Sequence, residues 1–162
     1  MRYLKTTYLW LIITSLFMIH CQEEYGIRYP PDTSDQIIIT QGVWGNVWFW
    51  EGNFMPVAYG GTITPVVREI HVHTLTSIDS VNQVPYSPFY YEIYTQLVAI
   101  TESNNTGFFE IALPPGSYSF FVKEDSLFYA NRYDGEGNIL PATVVEDSVT
   151  KVQIDITYKA YY

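Results

Sequence analysis

From Gln36 onward, apolar residues in this chain recur at every second position in several separate runs. That spacing suits a strand, whose successive side chains point to opposite faces, and no stretch sustains the 3.6-residue period of an amphipathic helix. Val152, Ile154, Ile156 and Tyr158 alternate with Lys151, Gln153, Asp155 and Thr157. Phe109, Ile111 and Leu113 alternate inward, and Tyr118, Phe120 and Val122 do the same on the way back. Between these runs, Pro114 and Pro115 fix φ and remove two donors, and Gly116 permits a positive φ to reverse the chain. Gln41 to Trp50 sets Val43, Gly45, Val47 and Phe49 on one face and Trp44, Asn46, Trp48 and Trp50 on the other. Both faces are largely apolar, so this strand is expected to be covered on both sides. Val67 to Thr76 and Gln96 to Thr101 read as further strands, with polar or glycine-bearing turns at 51–53, 102–107 and 134–138. The segment from Ser77 to Tyr94, broken by Pro85 and Pro88, reads as a long inserted loop with at most a short helix. The pattern predicts an all-β fold, an antiparallel sandwich of about seven strands.

The first twenty residues are of another kind. Arg2 and Lys5 precede Tyr8 to Ile19, an apolar run interrupted by Thr14 and Ser15. The run is short for a bilayer span but suits the apolar region of a signal peptide. Cys21, the single cysteine, follows at once, and Gln22-Glu23-Glu24 comes next. This resembles a bacterial lipoprotein signal, which implies that Cys21 receives the lipid and begins the mature chain. Glu23-Glu24 is similar to acidic signals that carry some Gram-negative lipoproteins to the cell surface. The chain then divides into a signal peptide (1–20), a flexible, proline-bearing tether (21–35) and one sandwich domain (36–162). The expected location is the cell envelope, as an outer-membrane lipoprotein exposed at the surface.

Composition narrows the partners. Removing residues 1–20 leaves about 140 residues, enough for one hydrophobic core. It also leaves 6 basic against 17 acidic residues, a formal balance of −11. An acidic surface repels phosphate backbones, so no nucleic-acid partner is expected. With Cys21 lipidated, no disulfide is possible and the core must hold the fold. The 15 tyrosines suit half-buried strands and recognition surfaces, having an apolar body and a polar tip.

The segment Thr106-Gly107-Phe108-Phe109-Glu110-Ile111-Ala112-Leu113-Pro114-Pro115-Gly116-Ser117-Tyr118-Ser119-Phe120-Phe121-Val122 resembles the core of the carboxypeptidase regulatory-like domain. Gly42-Val43-Trp44-Gly45-Asn46-Val47 resembles the first strand of that family. The resemblance implies a transthyretin-like (prealbumin-like) sandwich of seven strands in a non-catalytic accessory module. Independently of the family, the Tyr118 hydroxyl is placed to bond a backbone group at the sandwich edge, as in a tyrosine corner.

Four features bear on chemistry. His71 and His73 lie two apart on one strand, so both imidazoles face one way with Glu69, in reach of one Zn²⁺ or Cu²⁺. The competing reading is a solvated row behind the Ile70/Val72 core face, and no metal or other cofactor is expected. Asp134, Glu136 and Asn138 alternate as in a Ca²⁺ loop but lack its later ligands, so a hairpin turn is expected. Trp44, Trp48 and Trp50 form either an aromatic platform or the second covered side of a buried strand. Tyr86, Phe89, Tyr90, Tyr91 and Tyr94, in the proline-bearing segment, are the candidate recognition surface, for a cell-surface protein or glycan.

No catalytic constellation appears: there is no Gly-x-Ser-x-Gly elbow, and the ending Tyr158-Lys159-Ala160-Tyr161-Tyr162 departs from the Tyr-Arg-Gly-Ser of transthyretin-fold hydrolases. The expected function is therefore a lipid-anchored binding or structural accessory protein, not an enzyme. The alternatives are a small transthyretin-fold hydrolase or metal-binding protein using His71 and His73, and an envelope assembly subunit that pairs through an edge strand, the first or the last.

Overall fold

A computed structural model describes residues 30–56 and 60–162. The apolar run and Cys21 lie outside the described residues. The described chain forms a β-sandwich of two sheets, compatible with a prealbumin-like arrangement. Its strands are β1 (Gly42–Asn53), β2 (Thr62–Pro65), β3 (Glu69–Thr74), β4 (Val81–Gln83), β5 (Phe89–Ile93), β6 (Leu97–Glu102), β7 (Phe108–Ile111), β8 (Gly116–Glu124), β9 (Leu127–Tyr129), β10 (Pro141–Val144) and β11 (Val149–Tyr161). The only helices among the described residues are two short 3₁₀ turns, Ser34–Gln36 and Ile78–Ser80.

In the four-stranded sheet, β1 is central. It pairs on one side with β11 and on the other with β7 and then β2. The β1–β11 ladder is parallel, the one ladder of the sandwich that departs from antiparallel pairing among the described strands. Gly45 lies opposite Val152, and a β-carbon on Gly45 would fall on the Val152 carbonyl oxygen. The glycine is there because the neighbouring backbone occupies the space of a side chain.

The seven-stranded sheet runs β4-β5-β9-β8-β3-β6, with β10 beside the first half of β8. Its inner face supplies Ile70, Val72, Tyr118, Phe120 and Val122. They meet Val43, Val47, Val152, Ile154 and Ile156 from the other sheet. All ten are nearly or fully buried, and the alternation read from the sequence is the alternation of this core. Burying each such aliphatic side chain contributes about 1.5–3 kcal/mol.

Two local expectations need correction. The segment Ser77–Tyr94 is not an irregular loop: a 3₁₀ turn leads into the β4–β5 hairpin, with Tyr86 at its tip at φ 57°. Aromatic residues on both faces of β5 hid its two-residue period. Gly116 does take a positive φ, 159°, but as the first residue of β8, near the extended limit, and not as the apex of the reversal. The turn rests on the prolines and on Tyr118, whose hydroxyl donates to the Pro114 carbonyl at 2.9 Å. The left-handed glycine of this hairpin pair is Gly107 (φ 75°), where Asn104 Oδ1 also accepts from the amides of Thr106 and Phe108.

The lead-in to the domain is fastened before residue 36. Thr33 is buried and its hydroxyl accepts from Asn46 Nδ2 at 2.7 Å. Gln36 bonds Asn104 and Thr106, and the amides of Ile38 and Ile39 both donate to Glu110 Oε2. This stretch therefore lies over the outer face of the four-stranded sheet and along β7.

Candidate functional site

β3 places Ile70 and Val72 in the core and turns Glu69, His71 and His73 to the outer face, as a two-residue period requires. That outer face is not a solvated row. Phe121 and Tyr90 are fully buried on it, ring edge to face at 5.6 Å. His73 packs edge-on against Phe121 at 5.7 Å and is itself buried. Its Nδ1 lies 3.0 Å from the Thr95 carbonyl, which fixes Nδ1 as the donor. Nε2 then carries a lone pair in a buried position with no hydrogen-bond partner. Burial holds the His73 pKa below the usual histidine value; the Thr95 bond opposes this and the nearby His71 adds to it.

His71 is differently engaged. Its Nε2 is 2.6 Å from Glu69 Oε1 and its ring meets Phe128 edge-on at 5.0 Å. Lys123 Nζ sits 4.2 Å from the centroid of the same Phe128 ring. The two imidazoles thus share a face but hold separate partners. Among the described residues, no three His, Cys, Asp or Glu side chains are grouped so as to hold a metal ion.

Two of the five aromatics singled out as a recognition surface, Phe89 and Tyr90, are turned into the fold, and three are exposed. Phe89 faces inward and packs on Tyr129 and Tyr158, each at 5.2 Å. Tyr90 is wholly buried, and its hydroxyl shares a 2.6 Å bond with Tyr133 and donates to the Ala130 carbonyl. Burial, ahead of the Tyr133 bond, pushes the Tyr90 hydroxyl far above the usual tyrosine pKa. Tyr86, Tyr91 and Tyr94 are exposed. The sequence missed the pairing of Tyr90 with Tyr133 because 43 residues separate them.

The tryptophans take the covered role. Trp44, Trp48 and Trp50 are all buried on the outer face of β1. Phe108 and the Lys151 ammonium lie against Trp44, and Trp50 Nε1 donates to Asp155 Oδ1 at 3.0 Å. Asp134 holds its own turn: its carboxylate accepts from the amides of Glu136 and Asn138 and from Asn138 Nδ2. Those bonds, the Asn138 side chain first, lower its pKa.

An open groove of about 590 Å³ lies between the lead-in and the β7–β8 turn. Ile38, Ile39, Gln41, Ala112, Leu113 and Pro114 line it, and no ionisable side chain does. Comparison with protein-family models, with curated proteins and with solved structures gave no match.

Proposed function

We propose that this chain is a lipid-anchored cell-envelope protein whose sandwich is a binding or structural accessory module of the carboxypeptidase regulatory-like kind, without chemistry of its own. The observation that carries the non-catalytic part is the engagement of both histidines. His71 is bound to Glu69 and meets Phe128 edge-on, and His73 is buried with Nδ1 on a backbone carbonyl. Neither ring lines the groove, whose walls carry no ionisable side chain, whereas an enzyme site gathers such groups in a cleft. The Tyr118–Pro114 bond supports the family resemblance, because it gives the Leu-Pro-Pro-Gly-x-Tyr element a structural task. The anchoring rests on Cys21 at the end of the apolar run. Partners in this reading are the membrane, through the lipid, and a cell-surface protein or glycan met by exposed tyrosines.

The test has two arms. Cells are fed labelled fatty acid and fractionated, with wild type and Cys21→Ala compared. Label on the wild type and release of the mutant to the soluble fraction are expected; an unlabelled wild type with a membrane-bound mutant removes the anchor. Separately, stoichiometric zinc or copper in the purified protein, lost in a His71→Ala/His73→Ala variant, would overturn the non-catalytic reading.

A further inference from the structure

We propose that residues 33–41 form a strap that lifts off the sandwich as one unit while both sheets stay folded. No strand includes this stretch, and its short turn is closed within itself, Gln36 donating to the Thr33 carbonyl and Ile37 to the Ser34 carbonyl. Among the described residues, every hydrogen bond that fastens it to another element runs through a side chain. Thr33 Oγ1 accepts from Asn46, the Gln36 side chain bonds Asn104 and Thr106, and Glu110 Oε2 takes the amides of Ile38 and Ile39. Gln41 Nε2 donates to the Leu113 carbonyl, and Gln41 Oε1 accepts the Asp147 amide, both at 3.0 Å. The first main-chain bond into the sandwich is that of Gly42, whose amide donates to the Ser148 carbonyl at 3.1 Å. The boundary is therefore sharp, with side-chain clips before Gly42 and the β1–β11 ladder from Gly42 onward.

Burial falls off at the same boundary. Thr33 is the one buried residue of the strap, and Ile38 is 84% exposed, whereas β1 is buried almost throughout its first half. Lifting the strap uncovers little apolar surface, and segments with few buried apolar contacts open at a fraction of the free energy of the whole fold. Glu110 is the latch. One oxygen of its carboxylate accepts two strap amides, at 3.0 and 3.3 Å, and hydrogen bonds to a charged acceptor are the stronger kind. Glu110 stands on β7 opposite Trp44, so the strap closes over the face that carries the tryptophans. Opening bares Asn46, the buried polar residue between Trp44 and Trp48 on that face. It also frees about 30 Å of chain, since an extended residue spans about 3.4 Å. That extra length reaches toward a membrane only where Cys21 carries the lipid, so this consequence rests on the anchored reading. The opening itself does not.

Amide hydrogen exchange, read by NMR on the full-length protein and on its Cys21→Ala form, tests this. The strap amides are Ile38 and Ile39, and the Asp147 amide reports the far clip through Gln41. The reference is Val47, whose amide donates to the Gly107 carbonyl inside the sandwich at 2.8 Å. Ile38, Ile39 and Asp147 are expected to be protected to one common degree, about a hundredfold less than Val47. Low urea should speed Val47 and leave the other three unchanged, because the opening exposes little surface. Glu110→Gln keeps the shape of the latch and removes its charge. It should speed Ile38, Ile39 and Asp147 alike, by about fivefold, although Asp147 is no partner of residue 110. Four results would overturn the proposal. Equal protection and equal urea dependence at all four amides would mean that the strap opens only with the whole fold. Unprotected Ile38 and Ile39 would mean that it never closes. Unchanged exchange in Glu110→Gln would remove the latch. Faster exchange at Ile38 and Ile39 with Asp147 unmoved would show separate clips and no unit. The pattern should be the same in the Cys21→Ala form, and a Cys21→Ala chain that stays on the membrane counts against the anchor alone.

Discussion

The Tyr129 hydroxyl accepts the Thr157 amide hydrogen at 2.9 Å, so a side chain from one sheet takes a backbone donor on the outer edge of the other. The same hydroxyl reaches the Asp155 carbonyl at 3.4 Å, and Asn131 Nδ2 donates to Thr157 Oγ1 at 2.8 Å. Tyr129 therefore does for β11 what a neighbouring strand would do. Tyr129→Phe keeps the ring in the core and removes this oxygen. It is expected to cost about 1–3 kcal/mol, because the Thr157 amide loses its partner in a half-buried place. Chemical denaturation gives the number; an unchanged midpoint would show that water replaces the hydroxyl freely.

Alkali should weaken the domain through its tyrosines. Burial raises the Tyr129 and Tyr90 pKa values, and burial followed by the Glu124 bond pushes Tyr158 up to about 12. Between the ordinary value near 10 and these raised values, the unfolded chain has released protons that the folded chain still holds. Stability is therefore full below about pH 10 and falls as pH rises toward 12. Absorbance titration should show a group of tyrosines that ionise only as the fold is lost. A single transition near pH 10 with the near-ultraviolet dichroism intact would contradict this.

Acid acts through His73. Its folded pKa is depressed, so its contribution is complete above the unfolded value of about 6.5 and is lost as pH falls through the folded value. The ring resonances of His73 should titrate below those of an unfolded histidine. His73→Phe should flatten the stability profile below about pH 6.5 relative to wild type. An identical slope in the variant would place the acid sensitivity elsewhere.

Gly116 and Tyr118 should behave as one unit. A β-carbon on Gly116 would stand 3.2 Å from the Tyr118 hydroxyl, which is itself held by Pro114. Tyr118→Phe should cost about 1 kcal/mol for the lost hydrogen bond. Gly116→Ala should cost more in the wild-type background than in the Tyr118→Phe background, where the crowded oxygen is gone. Strict additivity in the double-mutant cycle would show that the two do not press on each other.

The tyrosines of 86–94 should separate into two groups. Tyr90→Ala is expected to destabilise by about 3–5 kcal/mol, as large aromatic truncations in a core do. Tyr86→Ala and Tyr91→Ala should stay within about 0.5 kcal/mol of wild type, being exposed. Any loss of binding to a cell surface that follows the exposed pair then reads as recognition, whereas the Tyr90 variant reports folding.

How much of this was legible beforehand depends on the face in question. Val152, Ile154 and Ile156 alternate with polar neighbours, so a period of two announced the strand and its inner face. Trp44, Trp48 and Trp50 were legible only as two choices, because an apolar second face looks alike whether a lead-in covers it or solvent does. Thr33 and Asn46, which close that face, are polar and carry no periodic signal. The burial of His73 leaves no signal in Glu69, His71 and Leu75, which share its face. The residues that bury it, Phe121 and Tyr90, come from strands distant in the chain, and one of them sat in a stretch that proline made look irregular.

The parallel ladder between β1 and β11 has a kinetic meaning. Gly42 finds Val149 across more than a hundred residues, and no hairpin can bring them together early. The most buried strand of the smaller sheet thus lacks one side until the final segment is in place. Contacts of such sequence separation slow folding, since the intervening chain must be ordered before they form. A chain delivered from its N-terminus would gather the β3–β6–β8 sheet first and wait, unsealed, for the thirteen residues of β11. Loss of those residues would take more than one strand with it: β1 would stand as an open, tryptophan-rich edge.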